Sequence, residues 1–131
     1  MLAALKSLFD SPQREARRLN RDASAVIDSA IKSFPIERVR DIALMTRERL
    51  DEAHEHLDKH SESREQVLYR FRQLHREARR RMDQVALTAL TLVIIQLHAE
   101  PLGNLTEPAL AVIDEFTGQW AHAARAPAGS E

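Results

Sequence analysis

An all-α fold is predicted, a helical bundle of about four helices with one long central helix, and three observations predict it. Apolar residues recur at three- and four-residue intervals over most of the chain, the period of a helix with one buried face. Glycine occurs three times in 131 residues and never before Gly103, whereas a sheet protein needs turn residues throughout. The third observation is a switch of character. The arginine-rich stretch YRFRQLHREARRR (Tyr69 to Arg81) gives way almost at once to QVALTALTLVIIQLHA (Gln84 to Ala99), which carries no formal charge. A helix solvated in its first half and enclosed in its second fits that switch. Enclosure needs neighbours on several sides, supplied by this chain or by a partner.

A chain of this length suits one domain that buries about two-thirds of its unfolded surface. The predicted domain covers residues 1–122. Its first element is a short helix at 2–9, with Leu2, Leu5, Leu8 and Phe9 as an apolar stripe folded back on the bundle. The next follows Asp10-Ser11-Pro12, with Asp10 or Ser11 as cap and Pro12 in the first turn, where its missing N–H costs nothing. It spans about 12–33 and buries Leu19, Ala23, Val26, Ile27, Ala30 and Ile31. Pro35 sets the following boundary, because the residue before a proline disfavours helical geometry. Over 35–60 the positions Ile36, Val39, Ala43, Thr46, Leu50, Ala53, Leu57 and His60 keep a three-four alternation. This coiled-coil-like seam is rich in small residues and suits a bundle better than an isolated zipper.

The segment HSESREQ offers a turn, with Ser61 or Ser63 as cap and Gln66 as the capping-box partner of Ser63. The long helix is expected over 62–99, about 57 Å from end to end, stopping ahead of Pro101. It outruns its neighbours, which predicts a kink, a break or a protruding end. In its second half Gln84, Thr88, Thr91 and His98 form a narrow polar stripe opposite Leu87, Leu90, Ile94 and Leu97. The last helix, 106–122, starts near Thr106 with Pro108 early; it buries Leu110, Ile113, Phe116 and Trp120 and exposes Asp114 and Glu115. The tail at 123–131 is small and polar and is expected to be disordered.

Formal charge alternates along the chain, +2 over 1–34, −2 over 35–60, +3 over 61–84 and −4 over 85–131, for a total of −1. Opposite signs on successive segments suit antiparallel neighbours, although exposed pairs contribute only tenths of a kcal/mol each. The absence of cysteine excludes disulfides, thiol nucleophiles and cysteine-ligated metal. No glycine-rich loop, G-x-S-x-G or H-E-x-x-H occurs, so neither enzymatic activity nor a cofactor is predicted. The apolar run of 16 residues is about 24 Å as a helix, short of the roughly 30 Å hydrocarbon core, so no integral membrane span is expected. MLAALKSLFD lacks the pattern of a secretory signal, and a soluble, cytoplasmic location is the expectation.

Asp51, His54, His56 and His60 in LDEAHEHLDKH are the nearest approach to a metal-ligand set. Two histidines four apart share a helix face. A dinuclear bundle site also needs Glu-x-x-His pairs on two helices, and that spacing never occurs; no metal is expected. Two arginine stripes are more suggestive. Arg14, Arg17, Arg18 and Arg21 lie on one helix face, and Arg72, Arg76, Arg79 and Arg80 repeat the pattern later. Arginine engages phosphate bidentately, which makes nucleic acid or an anionic membrane surface the alternative partner. Glu15, Asp22, Glu77 and Asp83 are interleaved with these arginines, as on an ordinary solvated face.

The leading expectation is a non-enzymatic bundle acting by protein–protein interaction, as a homodimer or other homo-oligomer, an adaptor or a regulatory subunit. Its interface would use Leu87, Leu90, Ile94, Ile95 and Leu97, with Phe116 and Trp120 as packing partners or aromatic anchors. The alternatives are anion binding through the arginine stripes and a histidine/carboxylate metal site.

Overall fold

Five helices form, α1 (Leu2–Ser33), α2 (Ile36–Asp58), α3 (Arg64–Arg80), α4 (Gln84–Ala99) and α5 (Thr106–Gly129), with no strand among the described residues. The computed structural model describes the backbone of residues 2–100 and 103–129 and the side chains of residues 13–100 and 103–118. α4 is the middle of the molecule and packs against each of the other four helices.

The sequence predicts a break at Asp10-Ser11-Pro12, yet α1 runs through it. Leu2, Leu5 and Phe9 stand in heptad register with Ala16, Leu19 and Ala23. The apolar spacing therefore keeps one register in the sequence across Pro12, against the lost donor and the ring clash that a proline brings to a helix interior. The predicted caps Asp10 and Ser11 and the stripe from Leu2 to Phe9 lie outside the described side chains. Pro35, with φ −58° and ψ 154°, stands immediately ahead of α2 as expected. α2 buries Val39, Ala43, Thr46, Leu50 and Ala53 along the predicted seam and adds Ile42. The Thr46 hydroxyl donates to the Ile42 carbonyl at 2.6 Å, so its burial leaves no unmet donor.

Ser61 takes a left-handed φ of 52°, and Ser63 caps α3. Its hydroxyl accepts from the Gln66 N–H at 3.2 Å, while the Gln66 side chain accepts from the Ser63 N–H at 2.8 Å. This is the capping box read from the sequence.

The long helix predicted over 62–99 is two helices, and the segments predicted at 2–9 and 12–33 are one, so the helices number five. Residues 81–83 reverse the chain. Met82 adopts φ 57°, its N–H donates to the Arg79 carbonyl, and the Asp83 N–H donates to the Ala78 carbonyl. That pair of bonds is a Schellman termination, with methionine in the left-handed position usually given to glycine. Asp83 then starts the next helix, accepting from the Ala86 N–H at 3.1 Å. A single residue thus closes α3 and opens α4, and the two helices lie antiparallel.

α5 begins on a clamp supplied by α4. Gln96, 2% exposed within the apolar run, accepts through Oε1 from the Leu105 N–H at 3.0 Å and the Thr106 N–H at 2.9 Å, and donates to the Gly103 carbonyl at 3.3 Å. Buried backbone donors near a helix start need such partners. Leu110 and Ile113 are buried as predicted, Phe116 is half-buried, and Asp114 and Glu115 are exposed. The Trp120 side chain lies outside the described residues. α5 continues to Gly129, through much of the segment expected to be a disordered tail.

Two core clusters meet on α4. One joins Leu92, Ile95 and Ala99 to Leu19, Ala23 and Ile27 of α1, Val39 and Ile42 of α2, and Leu110 and Ile113 of α5. The other joins Leu90, Val93 and Leu97 to Leu50 and Ala53 of α2 and Val67, Leu68 and Phe71 of α3. Among the described residues no helix is long and apolar enough to cross a membrane.

Candidate interaction face

α1 and α3 flank α4 on one side of the molecule, and both run antiparallel to it. The pairings fix the register. Near the end of α4, His98 meets Arg72 of α3 and feels the charges of Arg18 and Glu15 of α1. Earlier in α4, Thr91 meets His75 of α3, and Leu87, Thr88 and Thr91 share a groove with Ala25, Val26, Ser29, Ala30 and Phe34. The polar stripe predicted at Gln84, Thr88, Thr91 and His98 is the part of α4 that reaches this surface: Gln84 and His98 are exposed and the two threonines half-buried.

The groove between α1 and α4 is open, with a volume of about 330 Å³. Its α1 wall is low because Ala25, Ser29 and Ala30 are small. Its floor is less polar than two threonines suggest. Thr88 donates its hydroxyl to the Gln84 carbonyl at 2.8 Å, and Thr91 to the Leu87 carbonyl at 2.7 Å. Thr91 also accepts from His75, whose Nε2 lies 3.0 Å away. The hydroxyls are engaged inside the bundle. Burial, and after it the charge of Arg79, hold the His75 pKa below the ordinary imidazole value, in keeping with a neutral ring that donates from Nε2.

At the other end of α4 the surface becomes basic. A guanidinium can only donate, so Arg72 Nη2 donates to His98 Nε2 at 3.3 Å and leaves the ring proton on Nδ1. The His98 pKa is lowered by partial burial first, then by the fields of Arg72 and Arg64, with Arg18 adding a smaller push and Glu15 opposing it. Arg72 touches the ring, and Arg64 of α3 and Arg18 of α1 act on it through their charge. Every member of both predicted stripes, Arg14, Arg17, Arg18, Arg21, Arg72, Arg76, Arg79 and Arg80, is exposed. Arg18 pairs with Glu15 at 2.6 Å and Arg80 with Glu77 at 3.7 Å, each within its own helix.

The opposite side is acidic and in part paired within itself. α2 carries four arginines against seven carboxylates, and α5 one arginine against three; α3 carries six arginines against two glutamates, and α1 six basic residues against four acidic ones. Net charge is therefore positive on both helices that flank α4 and negative on α2 and α5. Arg47 ties these last two together, reaching Glu107 at 2.9 Å and Asp114 at 2.7 Å. Its guanidinium holds the Asp114 carboxyl below the usual carboxylate range.

The other predicted site residues are dispersed. Leu90, Ile95 and Leu97 belong to the chain's own core, Ile94 packs half-buried against it, and Leu87 lines the groove. His54 faces Glu100. His56 receives a hydrogen bond from Arg70, which also binds Glu62 at 2.9 Å, and this cluster pins the turn between α2 and α3. His60 and Asp51 are exposed. Among the described residues no group of three or more histidine or carboxylate side chains converges to hold a metal ion. Reading the sequence alone misses the groove, because its two walls are distant in the chain, and misses the role of Gln96, whose place in the apolar run signals burial but not the backbone at Gly103, Leu105 and Thr106 that it binds.

Compared with known protein families, curated proteins and solved structures, the chain matches none.

Proposed function

We propose that this protein is a non-enzymatic binding module that acts by protein–protein interaction through the face formed by α1, α4 and α3. One observation carries the reading: an open groove with apolar walls shares a face with the arginines around His98, which lies seven residues, about 10 Å, beyond the groove's Thr91, on the positively charged side of a charge-segregated bundle. Apolar contact with a charged margin is the usual make-up of a specific protein interface. Four further hollows, three beside α2 and one between the turns at Phe34–Pro35 and Met82–Asp83, are likewise open to solvent, whereas a catalytic site ordinarily sits in a concave pocket with convergent polar groups. A two-fold homodimer through this face would set one basic surface against its copy, so the partner is assigned to a different protein.

Photocrosslinking tests the proposal. A photoreactive amino acid at Ser29, exposed on the groove wall, is expected to trap a discrete protein partner in cells, and the same group at Asp51 on α2 is not. Equal trapping at both positions, or none at Ser29, would overturn the assignment.

A second reading has its own observation. Tyr69 is 66% exposed and shares the outer stripe of α3 with Arg72, Arg76 and Arg80, an aromatic among arginines of the kind that stacks on single-stranded nucleic acid. It predicts salt-sensitive binding of a single-stranded oligonucleotide, weakened by Tyr69→Ala. No binding at low salt would end that reading.

A further inference from the structure

The partner of the groove can be specified by its chemistry, an inference that rests on the protein-binding reading above. Leu87, at the apolar end, and His98, at the basic end, are eleven residues apart in α4, about 16 Å or three helical turns. The two ends differ in kind. Val26, Phe34 and Leu87 offer half-buried apolar surface next to the small side chains of Ala25, Ser29 and Ala30. Arg18, Arg64 and Arg72 bring positive charge to His98. We infer that the face receives an acidic amphipathic helix from another protein, with apolar residues over the Ala25–Leu87 groove and carboxylates over Arg18, Arg64, Arg72 and His98.

Three arguments select this occupant. The walls are helices whose backbone groups are bonded internally, so there is no sheet edge for an extended peptide to join. A furrow between two helices is instead the setting for helix-in-groove recognition, and small residues on one wall let a third helix axis approach closely. A polyanion with no apolar side would satisfy the arginines and leave the groove empty. A second copy of this chain offering its acidic α2–α5 side would join head to tail and, unless the rotation closed a ring, grow into filaments; Glu107 and Asp114 on that side are also held by Arg47.

Arg64 and Arg72 of α3, and Arg18 and Glu15 of α1, are the charged groups that act on His98. A carboxylate seated among them would favour the imidazolium, so binding should draw in a proton and strengthen as pH falls toward the lowered pKa of the free ring.

The test is selection of a random helical-peptide library on the full-length chain, with counter-selection on the triple variant Arg18→Gln, Arg64→Gln, Arg72→Gln. Arg18 and Arg72 are exposed and Arg64 half-buried, and an unchanged thermal melt verifies the variant's fold. Enriched peptides are expected to combine an apolar stripe with acidic residues at one end. They should lose about tenfold or more in affinity on the triple variant, and again on Ala25→Gln/Ser29→Gln, which fills the groove. Enrichment of neutral or basic peptides, or equal binding to the variants, would overturn the acidic-helix assignment. So would tighter binding of a single-stranded oligonucleotide than of any selected peptide, or the formation of chain-on-chain filaments. If Ser29 traps a protein while selection yields no acidic helix, the face stands and the partner chemistry falls; if Ser29 traps nothing, the protein-binding reading itself falls.

Discussion

α3 and α4 are neighbours of similar length cut from what the sequence presents as one helix, yet they are held in different ways. α3 is amphipathic; it buries Val67, Leu68, Phe71 and Ala78 against α2 and α4 and leaves Tyr69, Arg72, Arg76, Arg79 and Arg80 in water. α4 is surrounded. It buries Leu92 and Ile95 in one cluster and Leu90, Val93 and Leu97 in the other, and beyond its first turn only Thr88, Thr91, Ile94 and His98 reach the surface. A one-sided helix tolerates change over much of its circumference and is free to carry partner-binding charge. An all-sided helix is the joint between two cores, and little of it can change without loss of the fold.

The largest expected effect comes from placing like substitutions on the two helices. Leu90→Asp puts an unpaired carboxylate where the side chain is 3% exposed, which costs several kcal/mol (about 4 or more) and should abolish the cooperative thermal transition. Arg76→Asp on the exposed side of α3 should shift the melting temperature by no more than about 2 °C. A folded Leu90→Asp variant would show that α4 is not enclosed as described.

Gln96 sharpens the comparison, because it is the polar residue that α4 buries completely. Gln96→Leu leaves the Leu105 and Thr106 N–H groups without their acceptor and should destabilise by roughly 2 to 4 kcal/mol. The shift would appear in a urea titration, with faster hydrogen exchange at those two amides. An unchanged midpoint would mean that the start of α5 does not depend on the clamp.

The turn between the helices gives smaller changes of opposite sign. Asp83→Ala removes the cap of α4 and should cost about 1 kcal/mol. Met82→Gly relieves a left-handed side chain and should gain up to about 1 kcal/mol. Equilibrium unfolding of both variants checks the pair, and loss of stability in both would contradict the observed turn.

The smallest effect lies away from this pair, on the acidic side. Because Arg47 depresses the Asp114 pKa, the folded state binds that proton less readily than the unfolded one. The stabilisation is present above the unfolded carboxylate value, near 4, and is lost as pH falls through the lower folded value. Arg47→Gln should therefore be less stable than the parent at pH 6 by under about 1 kcal/mol, since the pair is exposed, and the gap should close on acidification. A gap that persists at pH 2 would assign the effect to packing of the arginine stem.

Much of the fold is legible in the sequence where a local signal exists. Pro35, the Ser63–Gln66 box, the α2 seam and the start of α5 near Thr106 all stand where local chemistry put them. The break at 81–83 is not legible, because the left-handed position holds Met82 instead of glycine and the arginines before it favour continued helix. The register that carries α1 across Pro12 was present but outweighed by the cap pattern beside it. Each arginine stripe could be read by itself; their convergence on His98 could not, since it depends on which helices flank α4. The apolar run announced enclosure without saying whose side chains provide it, which is why Leu90, Ile95 and Leu97 read as interface and turn out to be core.

The measurement that tests the enclosure of α4 most directly is the molar mass of the purified protein by size-exclusion chromatography with light scattering, across a range of concentrations. A chain that covers its own apolar helix should run as a monomer of 14.9 kDa. A stable dimer at every concentration would contradict that account and return Leu87 and Ile94 to an interface between copies.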